Sequence, residues 1–310
     1  MKHLERRLVE RKLKLLQMQT IEGAHAGNIY RIEVMDEDHR RSRYVYKEFA
    51  ADRSNEVEIY SKAKEYIQPF SKYVDVWDTP PQAILMRDLQ SPLKKEFKGL
   101  SDRNKRKQIV SILERLAVLH SSTIRLVANE LPTHRVTSEW RDWCLDQLTR
   151  LRSRSQWMNP DWINVIKDSY DQLDVTHYNP SSPLVLTHGD PHLENIFILD
   201  EQVWFIDWEW TTVASPLRDI TILVQDLYDS KWIQFVKATY HECLKNKQFH
   251  ISDEDYRRDF HYLYIDHTTM MLAWEIEKYF QGYTMEEEIQ RMIDFKIGEI
   301  NRVREEELGL

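Results

Sequence analysis

The 310-residue chain predicts an α+β protein of two lobes, a small β-rich N-terminal lobe and a larger, mostly helical C-terminal lobe. Three observations carry this. β-branched and aromatic runs cluster in the first ninety residues. From Ser101 onward long helical periodicities dominate. One apolar hairpin, within LVLTHGDPHLENIFILDEQVWFIDWEW (184–210), interrupts them. The expected division is residues 1–88, with a leading helix, and residues 89–310.

The elements follow in order. MKHLERRLVERKLKLLQ is charged throughout and lacks the apolar core of a signal peptide. IYRIEV (29–34) and RYVYKEF (43–49) flank the charged turn MDEDHRRS and read as a hairpin. SNEVEIYSKAKEYI (54–67) reads as a helix with Ser54 at its N-cap and Ile59, Tyr60, Ala63 and Ile67 on one face. KYVDVWD (72–78) and QAILM (82–86) read as strands across Pro80-Pro81, and MRDLQSP (86–92) connects the lobes. Helices are expected over 101–121, about 137–154, about 160–174, 254–280 and 285–307.

Composition narrows the function. An apolar fraction of 42% is enough for a sizeable core, and only seven glycines argue against propellers and collagen-like repeats. Residues 1–90 carry 16 Lys/Arg against 15 Asp/Glu, and the rest 27 against 36. An acidic second part disfavours nucleic acid as a partner and suits a cationic small molecule, although a solvated acidic surface is the simpler explanation. Cys144 and Cys243 lie far apart without metal spacing and read as reduced core thiols. No apolar run is long enough for a membrane helix, so a cytoplasmic location with no membrane partner is expected. The oligomeric state is left open.

NIFIL (195–199) and VWFID (203–207) are separated by Asp200, Glu201 and Gln202. A three-residue loop there sets Leu199 opposite Val203 and Asn195 opposite Asp207 at the open end. A carboxamide and a carboxylate are hard oxygen ligands suited to Mg²⁺. Asp190, five residues before Asn195, reaches the same end from the preceding loop and is a natural acceptor for a hydroxyl proton. Taken alone, Asn195 and Asp207 would cap strand ends.

HGDPHLENIF followed by FIDWEW resembles the catalytic loop and metal-binding segment of the aminoglycoside phosphotransferase and choline kinase group, small-molecule kinases with a protein-kinase-like fold. Gly189 stands where protein kinases have Arg, and Asp207-Trp208-Glu209 where they have Asp-Phe-Gly. The resemblance implies that Asp190 is the catalytic base, that Asn195 and Asp207 hold Mg²⁺, and that His188 braces the loop. It also implies ATP, with GTP as the other candidate, and a small-molecule hydroxyl as acceptor. Lys47, in mid-strand, is the candidate for the nucleotide phosphates. Glu56 lies on the inward stripe of the following helix, needs a cation, and is its expected partner. Gly27, within IEGAHAGNIY, is the candidate phosphate-covering turn. AILMRDL (83–89) resembles the hinge that meets adenine, with Met86, Arg87 and Asp88 the candidates. IVSILERLAVLHSS (109–122) resembles the group's Leu-x-x-Leu-His helix, and in SPLRDI (215–220) Asp219 is expected to support the catalytic loop.

Two rivals are a non-catalytic binding protein on the same fold, such as a spore-coat-type relative, and a metallohydrolase using His188, Asp190 and His192. The second leaves Lys47, Glu56 and the Asn195–Asp207 pair without a role. For the acceptor, Asp207-Trp208-Glu209-Trp210 is close to the choline kinase pattern. The Asn often found shortly afterwards is absent from TTVASP (211–216).

Overall fold

The structure is a computed structural model that describes residues 2–21, 28–50, 55–124 and 131–310. The chain opens with α1 (Lys2–Glu10), β1 (Lys14–Ile21), β2 (Asn28–Met35), β3 (Arg41–Glu48), α2 (Asn55–Ile67), β4 (Tyr73–Trp77), β5 (Ala83–Arg87) and α3 (Leu93–Phe97). There follow α4 (Asp102–Ser122), α5 (Glu139–Arg154), α6 (Asp161–Leu173), β6 (Val185–Thr187), β7 (Ile196–Leu199), β8 (Gln202–Phe205) and β9 (Thr212–Ala214). The chain ends with α7 (Leu217–Leu223), α8 (Ser230–Asn246), α9 (Asp253–Phe280) and α10 (Glu286–Leu308). This is the two-lobed α+β, protein-kinase-like architecture, a sheet-bearing N-terminal part and a helix-rich C-terminal part. No helix among the described residues is long and apolar enough to cross a membrane.

The residues group into two compact units. The first is 1–100 together with 193–211; the second is 101–192 together with 212–310. Unit 1 is built on an antiparallel sheet of order β1-β2-β3-β5-β4. Its inward positions Ile32, Val34, Tyr46, Ala83 and Leu85 bury themselves under Leu4 and Leu8 of α1. Arg7 is also buried there and is satisfied by the Tyr46 hydroxyl at 2.5 Å and the Pro81 carbonyl at 2.7 Å, as a buried guanidinium must be. β1 is an edge strand with an irregular burial pattern, so its sequence shows little alternation. α2 buries Glu56, Val57, Ile59, Tyr60, Ala63 and Ile67, while Glu58 faces outward to Lys62 at 2.6 Å. The Ser54 cap and Gly27 lie outside the described residues.

The β7–β8 hairpin corrects the expected register. Leu199 pairs with Gln202 and Ile196 with Phe205, so the loop has two residues, Asp200 and Glu201. Both take positive φ, 53° and 60°, which is the twist-matched two-residue turn that hairpins favour. The slip of one residue sets Asn195 opposite Ile206, whose N–H donates to the Asn195 carbonyl at 3.1 Å. Asp207 lies one position beyond that pair.

In unit 2, α9 is buried around most of its circumference and packs on α5, α7 and α10. α4 begins at the Ser101 cap and packs on α8. The sequence reading took the last eighty residues as helical but bounded no helix over 215–253; α7 and α8 fill that stretch. In α8, buried Ile233, Val236, Tyr240, Cys243 and Leu244 follow the helical period. Cys144 and Cys243 are buried free thiols.

Candidate active site

In unit 1, Lys47 sits in β3 between Ile29 of β2 and Ile84 of β5, and its side chain is only 11% exposed. An ammonium in mid-sheet needs partners. Its Nζ donates to Glu56 Oε2 at 2.7 Å and to Asp207 Oδ1 at 3.0 Å. Burial alone would lower the Lys47 pKa. The two carboxylates outweigh it, and the pKa stands above the usual lysine value, so the group stays charged. Glu56 is fully buried, and its other oxygen accepts from the Tyr73 hydroxyl and, at 3.4 Å, from the Trp208 N–H. Burial and the adjoining Glu56 charge raise the Tyr73 pKa well above normal, so Tyr73 stays a donor.

Asp207 takes φ 65°, a conformation that residues other than glycine seldom adopt and that clusters at working sites. It reorients the chain directly after the hairpin. Trp208, wholly buried and edge-on to Phe205, anchors the turn. Trp208 is therefore core, whereas Trp210 is 57% exposed. Asn195 is buried at the start of the same hairpin. The hard-oxygen character of Asn195 and Asp207, with Asp207 one-third exposed, fits Mg²⁺. Met86 is buried in β5. The Asp88 carboxylate lies 2.9 Å from the Arg31 guanidinium, and its N–H donates to the Arg43 carbonyl at 3.1 Å.

In unit 2, Asp219 on α7 organises the turn at His188. Its carboxylate accepts the N–H groups of His188 and Gly189, each at 2.8 Å, and lies 3.0 Å from His120 Nε2 at the end of α4. Burial pushes the Asp219 pKa up, but the His120 hydrogen bond and neighbouring positive groups prevail and hold it below normal. The other ring nitrogen of His120 meets the Tyr240 hydroxyl. Gly189 has φ 90°, which explains Gly where protein kinases carry Arg. Asp190 N–H donates to His188 Nδ1 at 3.2 Å, which orients the loop.

The sequence reading gave His192 a role only in the metallohydrolase rival, yet its Nε2 lies 3.2 Å from Asp190 Oδ2. The two-residue spacing across Pro191 was the available signal. Tyr73 was also missed, because it reaches Glu56 of α2 from β4, seventeen residues on. The structure thus brings together Lys47, Glu56 and Asp207 in unit 1, and His188, Asp190 and Asp219 with His120 in unit 2.

Comparison with known proteins places this geometry. The family model described as the phosphotransferase enzyme family matches residues 39–248. Protein LicA of Haemophilus influenzae is 33% identical over 64 residues, 20% of this chain and 23% of that protein. The match therefore spans less than a quarter of that relative. Among solved structures, a spectinomycin phosphotransferase in complex with ADP and spectinomycin superposes with a TM-score of 0.65 at 13% identity, covering 98% of each chain. Choline kinase LicA from Streptococcus pneumoniae gives 0.59 at 13% identity, covering 97% of this chain and 98% of that one. An amicoumacin kinase gives 0.63 at 13% identity, covering 96% and 93%. Such low identities speak for the fold alone, but the family model spans most of the chain. The protein belongs to the phosphotransferase enzyme family, on the fold shared by aminoglycoside phosphotransferases and choline kinases.

Proposed function

We propose that the protein is an ATP- and Mg²⁺-dependent kinase that moves the γ-phosphoryl group onto a hydroxyl of a small molecule. The observation that carries this reading is the buried Lys47–Glu56–Asp207 ion triad. An ammonium held charged by one wholly buried carboxylate and one accessible carboxylate is preorganised to exchange the accessible partner for phosphate oxygens. Nucleotide binding is assigned to Lys47, Glu56 and the backbone around Met86 and Asp88, with GTP as the alternative donor. Asn195 and Asp207 would hold the metal. Mg²⁺ bound there supplies charge neutralisation at the phosphate oxygens.

Asp190 would accept the proton of the acceptor hydroxyl as its oxygen bonds to the γ-phosphorus and the bond to the leaving ADP oxygen breaks. Asp219 and His188 would fix the loop that presents it. The acidic balance of residues 91–310 suits a cationic acceptor, of aminoglycoside or amino-alcohol type. Buried free thiols suit a reducing compartment, which supports a cytoplasmic location.

The test is a phosphorylation screen over aminoglycosides, choline, ethanolamine, homoserine and sugars, with Asp190→Asn alongside. The variant should lose about 10²–10⁴ in turnover; wild-type turnover would refute the assignment. If no thermal shift occurs with ATP, with or without Mg²⁺, the non-catalytic reading takes its place.

A further inference from the structure

We propose that His134, Asp266 and His267 form a binding site in unit 2 for a borderline transition-metal dication of the Zn²⁺ or Co²⁺ class. One ligand-type atom from each residue lies within 4.8 Å of the other two. His134 comes from the segment before α5, where its N–H donates to the Val213 carbonyl at 2.9 Å. Asp266 and His267 come from the middle of α9, 1% and 0% exposed.

Hydrogen bonding determines which atoms are free to ligate. The Thr221 hydroxyl donates its single proton to the Arg218 carbonyl at 2.9 Å. Its oxygen lies 2.6 Å from His267 Nδ1, and with the hydroxyl proton on that carbonyl it accepts from an Nδ1–H. That tautomer leaves His267 Nε2 a bare lone pair and is the one a metal on Nε2 selects. Asp266 Oδ1 accepts from the Tyr170 hydroxyl at 2.8 Å. The remaining atoms, His267 Nε2, Asp266 Oδ2 and His134 Nε2, are buried and have no hydrogen-bond partner among the described residues. Buried lone-pair acceptors side by side need a proton or a cation between them; burial pushes the Asp266 carboxyl up to about 7, so a proton on Oδ2 is what a cation must displace.

The pattern is that of a metal site. Two imidazoles and one carboxylate supply three ligands, and a hydroxyl outside each of His267 and Asp266 sets its orientation. Burial, helped by the Arg218 charge, lowers both imidazole pKa values, that of His134 to about 3, so the rings are in the neutral form that binds metal. The nitrogen-rich set disfavours Mg²⁺, so the site is chemically distinct from Asn195 and Asp207 and does not depend on the phosphotransfer reading. Arg218 stands beside the cluster, and its charge is opposed by Asp219, Asp190 and Asp266. A tetrahedral ion sets its ligand atoms about 3.4 Å apart, so binding draws these side chains inward.

The test is titration of chelator-stripped, full-length protein with Co²⁺ and then Zn²⁺, in excess Mg²⁺. The expected result is about one equivalent of Co²⁺ with visible ligand-field absorption, displaced by Zn²⁺. Asp266→Asn, which keeps an acceptor for Tyr170, and His134→Ala should each abolish the band. Thr221→Val should weaken binding about 10–100-fold by releasing His267 Nδ1. Replacement of His177, which is 80% exposed, should change nothing. Zn²⁺ should raise the melting temperature of the wild type and leave that of Asp266→Asn unchanged. If Asp266→Asn does not fold, His134→Ala decides. Absence of the band in the wild type, or an equal band in His134→Ala, would overturn the site and leave a proton on Asp266, or water, between the lone pairs, with the phosphotransfer reading untouched.

Discussion

Replacing Glu56 by Gln removes one charge from the unit 1 triad and the acceptor facing Lys47, because a carbonyl kept on Tyr73 and Trp208 turns the amide NH2 towards the ammonium. The Gln carbonyl can still accept from Tyr73 and Trp208, and Lys47 keeps Asp207 at 3.0 Å. Breaking a buried pair outright costs about 3–5 kcal/mol; with a second carboxylate still in place, the loss should be about 2–3 kcal/mol. Lys47→Met is worse, because it leaves the wholly buried Glu56 carboxylate without its cation, at about 3–5 kcal/mol. The double variant should be less damaged than the sum, with a coupling of about 1.5–3 kcal/mol. Two compact units make a single unfolding free energy ill-defined, so the melting temperature is the appropriate readout. At about 2–4 °C per kcal/mol for a chain somewhat smaller than this, Glu56→Gln should lower the midpoint by about 4–12 °C. If the two single shifts simply add in the double variant, the residues do not act as a pair and the account of Lys47 fails.

Truncating Trp208 to Ala should cost about 3–5 kcal/mol, whereas Trp210→Ala should stay within about 0.5 kcal/mol; thermal melts distinguish a core anchor from a surface residue. Asp219→Ala should destabilise by about 3 kcal/mol or more, since it leaves two N–H groups and His120 without their acceptor; enhanced amide exchange at His188 and Gly189 would report it, and unchanged protection would count against the clamp. His134 has its pKa depressed from 6.5 to about 3, chiefly by burial and then by Arg218. The fold therefore binds fewer protons there than the unfolded chain. That contribution is whole above pH 6.5 and drains away as pH falls towards 3. In chelator, His134→Gln should flatten this part of the melting-temperature profile; superimposable profiles would refute it.

Much of the fold was legible because its signals are local. The stripe of Glu56, Ile59, Tyr60, Ala63 and Ile67 follows from helical spacing alone, and it correctly turned Glu56 inward and Glu58 outward. The hairpin register was not legible. It depends on two consecutive left-handed residues, Asp200 and Glu201, and neither is the glycine that advertises such a turn. The clamp on the His188 turn joins Asp219 to His120 across 99 positions, and only family resemblance suggested it. The contact between Asp190 and His192 was hidden for a different reason. Histidines in such a motif invite a metal reading, and rejecting that reading removed His192 from view.

The discontinuity of unit 1 also bears on how the chain is made. Lys47 emerges from the ribosome 160 residues before Asp207. At about 5–20 residues per second, that is roughly 8–30 s during which the sheet must persist with Glu56 as the ammonium's companion. The wholly buried carboxylate lies within nine residues of Lys47, and the one-third-exposed carboxylate arrives last. The nascent sheet can thus neutralise its buried charge from its own neighbourhood, and the late hairpin adds the partner that remains open to exchange.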